Sequence, residues 1–133
     1  MLRCLALCVL LPFAHVVIAQ AQLALAEDDG PALSYRALEQ RIAEAAQSLR
    51  EAGVAPGERV VLLGENSVDT VVLLLGAMRA RAWAVPLNPR MSAGEIDAIC
   101  AHARPRLVWF ASRSSAVAAA HAERLGARVL PLP

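Results

Sequence analysis

Lysine does not occur in this 133-residue sequence; all thirteen basic residues are arginine. A Schiff base, a phosphate-loop lysine and a lysine general base all need an ammonium whose pKa can shift, and a guanidinium does not supply one. Excess charge is missing too. Thirteen basic residues face twelve acidic ones for a formal net charge of +1, too weak a field to make nucleic acid or an anionic membrane surface the chief partner. Cysteine is scarce, and Cys4, Cys8 and Cys100 form neither a CxxC pair nor a Cys/His zinc spacing. We read all three as small apolar fillers. Glycine numbers seven, with no run spaced to cradle phosphate, and His15, His102 and His121 have no acidic partner at triad or metal spacing. From these residues no catalytic, cofactor-binding or metal-ligating side chain is assigned.

Apolar residues make up 57% of the chain, which excludes disorder as the main state. At this length a fold can bury about two-thirds of the surface that its unfolded chain exposes, without disulfides. Residues 1–21 stand apart as an apolar leader, with no formal charge between Arg3 and Glu27 and interruptions at Pro12 and His15. A secretory signal would use Arg3 as its basic start and a small-residue site such as Ala19-Gln20-Ala21 or Ala24-Leu25-Ala26. A membrane anchor needs about 20 predominantly apolar residues, and Pro12, His15, Gln20 and Gln22 leave this stretch short of that. The preferred reading is a signal-like or spurious start ahead of a cytoplasmic domain, with export as the alternative.

The remaining residues, 22–133, alternate strands and helices. Residues 22–27 read as a short strand, Asp28-Asp29-Gly30 as a turn and residues 31–34 as a returning strand, hence a small hairpin. Ser34 is a candidate N-cap for a helix with Leu38, Ile42, Ala45, Ala46 and Leu49 on one face and Arg36, Glu39, Arg41, Glu44, Arg50 and Glu51 on the other, ending at Gly53. Residues 60–63, Val-Val-Leu-Leu, have the unbroken apolar character of a strand covered on both faces. Asn66 or Ser67 then caps a helix with Asp69 in its first turn, and residues 71–78 are apolar nearly all round. Residues 82–87 form a strand with Pro86 near its end. Ser92 and Glu95 make a capping box for a helix carrying Ile96, Ile99 and Cys100, stopping before Pro105. Residues 107–110 are a further strand, Ser114 or Ser115 caps a helix over residues 117–125, Gly126 ends it, and residues 128–130 begin a last strand. Strands separated by helices of this length specify βαβ units, so the expected fold class is α/β, a parallel sheet preceded by the small hairpin.

Several side chains invite a functional reading. Arg79, Arg81, Arg90, Arg104 and Arg106 form a local basic cluster, which we read as solvated or matched to helix C-termini. Asn88 and Arg90 stand out a little more because they follow a strand, where open α/β sheets place ligands, yet we read them too as structural. Trp83, Trp109 and Phe110 are expected to pack on the sheet.

Consecutive segments between Leu23 and Leu130 resemble the opening of the AMP-forming adenylating enzymes, the superfamily of acyl-CoA synthetases, luciferases and peptide-synthetase adenylation domains. Ala32-Leu33-Ser34-Tyr35-Arg36-Ala37-Leu38 resembles a family strand and helix start, and Gly53-Val54-Ala55-Pro56-Gly57-Glu58-Arg59-Val60 resembles a family turn. Glu65-Asn66-Ser67 and Leu75-Gly76-Ala77 resemble the helix that follows. The most specific piece is Val85-Pro86-Leu87-Asn88-Pro89-Arg90, followed by Ser92-Ala93-Gly94-Glu95-Ile96. Asn88 tilts the resemblance toward acid–CoA ligases, since peptide-synthetase domains usually carry Asp there. Arg81 departs from a position that is normally Gly, so its side chain should point to solvent or displace the turn before Trp83.

The resemblance implies an incomplete N-terminal subdomain of an acyl-adenylating enzyme, residues 22–133 being a partial synthetase/ligase domain that stops before the phosphate loop. The implied reaction activates a fatty or other carboxylic acid with Mg-ATP to an acyl-adenylate and then transfers the acyl group to CoA. ATP, Mg and CoA are thus implied for the family and none is expected to bind this chain alone, because the family's phosphate loop, adenine segment, ribose-binding Asp and catalytic Lys have no counterpart here. Two alternatives stay open. One is a non-catalytic binding or regulatory remnant that pairs with a larger homologue through an open sheet edge; the other is a small exported protein.

Overall fold

The computed structural model describes residues 22–27, 30, 32–110 and 116–127. The leader, with Cys4, Cys8 and His15, the caps Ser114 and Ser115, and the strand expected at residues 128–130 lie outside the described residues. Among the described residues the order is β1 (Leu23–Ala26), β2 (Ala32–Ser34), α1 (Tyr35–Glu51), β3 (Arg59–Leu63), α2 (Val68–Arg79), β4 (Trp83–Leu87), α3 (Ala93–Ala103), β5 (Leu107–Phe110) and α4 (Ala116–Arg124). The chain divides into two compact units, Met1–Gln40 and Arg41–Pro133, with the boundary inside α1.

In the first unit β1 and β2 pair antiparallel, Leu25 opposite Leu33 and Ala26 opposite Ala32, with a register slip between Leu23 and Leu25. The Tyr35 amide donates to the Gln22 carbonyl, and the Ser34 hydroxyl accepts from the Ala37 amide at 3.2 Å. Ser34 therefore satisfies one of the orphan N–H groups at the start of α1.

In the second unit three strands make a parallel sheet in the order β4-β3-β5. The central strand needs a partner on each side and apolar cover on both faces; Val60, Val61, Leu62 and Leu63 are all fully buried. Alternation sorts them. Val61 and Leu63 join Leu87, Phe110, Ile96, Ala118 and Ala122 in one core cluster, with Val85, Val108, Ile99 and Cys100 packed against it. This is the face covered by α3 and α4. By the strand's period of two, Val60 and Leu62 belong to the opposite face. Fully buried Trp109 shares that parity on β5.

Helix α2 has little amphipathic character because it is packed on more than one side: Val72, Leu73, Gly76 and Ala77 are buried. A Cβ at Gly76 would lie 2.6 Å from the Ala45 Cβ, so glycine is what lets α1 and α2 approach this closely. Met78, expected within the same apolar stretch, is instead exposed.

Strand β4 is an edge of the described sheet, and Pro86 stands opposite Leu62. The Trp83 amide donates to the Glu58 carbonyl at 2.8 Å. In a parallel ladder alternate residues bond to the same neighbour, so the amides of residues 83, 85 and 87 face β3. Position 86 faces outward, where proline's missing N–H leaves no ladder bond unmade.

Two junctions use unusual backbone. Arg81 follows α2 with φ 63°, and Arg104 caps α3 with φ 45°. The Arg81 side chain points to solvent as the sequence requires, and the turn is kept by placing its backbone where a glycine would sit more cheaply.

Candidate functional site

The β3–α2–β4 and β4–α3–β5 connections step across the sheet in opposite directions, so right-handed crossovers put α2 and α3 on opposite faces and a crevice opens between the C-terminal ends of β3 and β4. This is the topological switch point, where open α/β sheets bind ligands. A cavity of about 510 Å³ lies there, lined by Gly64, Glu65, Asn66, Thr70, Pro86, Leu87, Asn88 and Arg90.

One wall is the start of α2. Ser67 caps the helix, accepting from the Thr70 amide at 3.1 Å, while the Thr70 hydroxyl donates to the Glu65 carbonyl at 2.7 Å. The loop and the first helical turn are thereby tied together. Behind them, Asp69 is 4% exposed and forms a 2.7 Å ion pair with Arg41 of α1. Arg41, expected on the solvated face of α1, is turned inward by this partner, and its Nε is buried without a hydrogen bond among the described residues.

The other wall is a turn that follows β4. The Asn88 side-chain oxygen accepts from the Arg90 amide at 2.9 Å, and the Asn88 carbonyl accepts from Met91 at 3.1 Å. Pro89 is buried inside the turn, leaving Arg90 exposed at the cavity lip. Arg90 Nε stands 4.0 Å from a Glu65 carboxylate oxygen on the facing wall.

Asn88 and Arg90 are therefore brought together with Glu65, Asn66 and Thr70. Thr70 escapes a sequence reading because nothing local says that its hydroxyl is aimed back at residue 65. The basic cluster of the sequence is divided: Arg90 sits at the C-terminal end of the sheet, whereas Arg104 and Arg106 line a separate depression with Arg59. His102 and His121 lie in the last turns of α3 and α4 and do not line the cavity. Cys100 is half-buried against the α3/α4 core, and burial, reinforced by Asp97, raises its thiol pKa. Trp109 and Phe110 are buried as expected, but Trp83 does not pack: it is 69% exposed, because it sits at the first position of an edge strand.

Within this cleft one carboxylate, one guanidinium and one glycine line the wall. That set does not by itself fit Mg-ATP, which needs a backbone cradle for the phosphates and oxygen ligands for the metal. Among the described residues no group of three His, Cys, Asp or Glu is placed to hold a metal ion, and no helix is long and apolar enough to cross a membrane.

Residues 12–130 match the AMP-binding enzyme family, and the chain belongs to that family. Among curated proteins it is 39% identical over 97 residues to a feruloyl-CoA synthase of Amycolatopsis sp, covering 72% of this chain and 20% of that protein. It is 38% identical over 72 residues to a long-chain-fatty-acid–CoA ligase of Mycobacterium tuberculosis, covering 54% of this chain and 14% of that one. Among solved structures, apo MatB from Rhodopseudomonas palustris superposes with a TM-score of 0.67 at 31% identity, over 82% of this chain and 22% of that one. The N-terminal domain of FACL13 from Mycobacterium tuberculosis gives 0.73 at 26% identity, over 90% and 30%. The chain thus spans about a fifth of the length of the curated relatives it matches first, and the shared region is the N-terminal domain of acid–CoA ligases. A solved relative, MatB from Rhodopseudomonas palustris, has been seen with ATP bound.

Proposed function

We propose that this chain serves as the N-terminal portion of an AMP-forming acid–CoA ligase, building one side of a substrate cleft and not adenylating by itself. The overall reaction would join a carboxylic acid to CoA through an acyl-adenylate at the expense of Mg-ATP, in the cytoplasm. The observation that carries the reading is the cleft at the switch point, walled by Asn88-Pro89-Arg90 and the Ser67-capped start of α2, in a chain 39% identical to a feruloyl-CoA synthase over its matched span. Arg90 and the side-chain amides of Asn66 and Asn88 offer cationic and neutral donors to an anionic substrate group. The lysine-free composition supports the second half, since the charge that develops on a transferring phosphoryl group needs clamping cations at fixed positions.

The test has two arms. The purified chain, assayed for carboxylate-dependent ATP–pyrophosphate exchange with aromatic and aliphatic acids, should stay at background; clear exchange would overturn its inactivity alone. A chimera with residues 22–127 replacing the matching span of the Amycolatopsis feruloyl-CoA synthase should form feruloyl-CoA. A folded but inactive chimera would overturn the ligase reading.

A further inference from the structure

At the opposite, N-terminal end of the sheet, the chain gathers several arginines around a single carboxylate. A depression of about 400 Å³ is lined by Gly57, Glu58, Arg59, Arg104, Pro105 and Arg106. Arg81 borders the same rim, its carbonyl accepting from the Gly57 amide at 2.8 Å. Glu58 is the one carboxylate lining the depression, and it is already engaged: it accepts from the Ala55 amide at 2.8 Å and stands 3.9 Å from Arg106 Nε. Arg106 also donates to the Gly53 carbonyl. Among the described residues no carboxylate pairs with Arg59, Arg81 or Arg104, and all three side chains are exposed. The C-termini of α2 and α3 end beside Arg81 and Arg104, and their negative dipole ends offset part of the mutual repulsion.

Next to these cations stands Trp83, directly opposite Arg59 in the β3–β4 register and the most exposed large apolar residue described. A bare indole costs solvation, and arginine and tryptophan together are the side chains that most often anchor protein interfaces.

We infer that the Arg59/Arg81/Arg104/Arg106 rim with Trp83 is a docking surface for an acidic segment of a partner protein. Carboxylates of the partner would pair with the arginines, and one apolar side chain would cover Trp83. The rim lies at the other end of the strands from the cleft, so the inference stands independently of the ligase reading, and either can fail alone.

The experiment is a fluorescence titration of the full chain with a synthetic peptide of alternating Glu and Leu, beside an isosteric Gln/Leu control. Trp83 is the solvent-facing tryptophan and reports directly; Trp109 is buried. Binding of the Glu peptide should saturate and shift the emission to the blue. It should weaken about fivefold for each of Arg59→Gln and Arg104→Gln and vanish at about 1 M salt, where the screening length is ~3 Å. Because both substitutions are at exposed positions, circular dichroism will show the fold intact. No saturable binding, equal binding of the Gln peptide, or full competition by inorganic pyrophosphate, the mark of a small-anion site, would each overturn the inference.

Discussion

Asp69 shows how a single residue can serve two ends. In the first turn of α2 its charge complements the helix dipole, and it is also nearly fully buried against Arg41 at 2.7 Å. Removing one member of a buried pair strands the other, whereas replacing both with apolar groups of similar size removes the desolvation cost as well. Asp69→Ala should therefore destabilise the chain by about 3 kcal/mol in urea unfolding, and Arg41→Met with Asp69→Leu should recover most of that loss. Equal instability of the single and double variants would show that the pair is not the cause. The pair was not legible in the sequence, where Arg41 falls among the charged positions of α1 and Asp69 reads as a helix-start acid; only the packing of α1 on α2 makes them meet. Trp83 departs from the packing expected of it for a related reason. Aromatic residues fit sheets, but whether one is covered depends on whether its strand is central, and a local pattern does not carry that.

At the level of the element, local signals were dependable. The Ser92/Glu95 capping box is formed in both directions: the Glu95 amide donates to the Ser92 hydroxyl, and the Ser92 amide donates to the Glu95 carboxylate at 2.8 Å. The Ser92 hydroxyl also donates to that carboxylate at 2.7 Å, and this bond first, then the one from the Ser92 amide, lowers the Glu95 pKa below its ordinary value. A carboxyl that ionises more easily in the folded state stabilises the fold above its unfolded pKa and ceases to do so as pH falls through the lowered, folded one. Unfolding midpoints measured down the acid range should accordingly show a small decline that is missing in Glu95→Gln, levelling off once Glu95 of the parent is protonated in both its folded and its unfolded state. A decline unchanged by the substitution would assign it to other groups. Ser67, Ser34 and the stop before Pro105 were legible for the same reason: capping is chemistry between residues three apart, and the sequence holds both partners in view. The cleft was only half legible. Asn88 and Arg90 could be placed at the end of their strand, though we read them as structural, whereas Glu65, Asn66 and Thr70 join them only because β3 and β4 are neighbours.

For the whole molecule, the parallel α/β architecture followed from alternating apolar runs and helices, but the order β4-β3-β5 did not, because nothing local says on which side of β3 each later strand will lie. That order puts a proline on an edge of the described sheet, with consequences for how copies of the chain behave at high concentration. A bare strand edge is a template on which another chain can polymerise, and outward amides are the donors that such growth requires. On β4 the outward positions are 84 and 86, and Pro86 deletes one of the two donors. Pro86→Ala should fold with the same sheet yet scatter more light on concentration and seed thioflavin-positive fibrils sooner than the parent; indistinguishable kinetics would mean that this edge is shielded by other means. On that account the residue that looks least at home in a strand would act as a terminator of polymerisation along the edge of the described sheet.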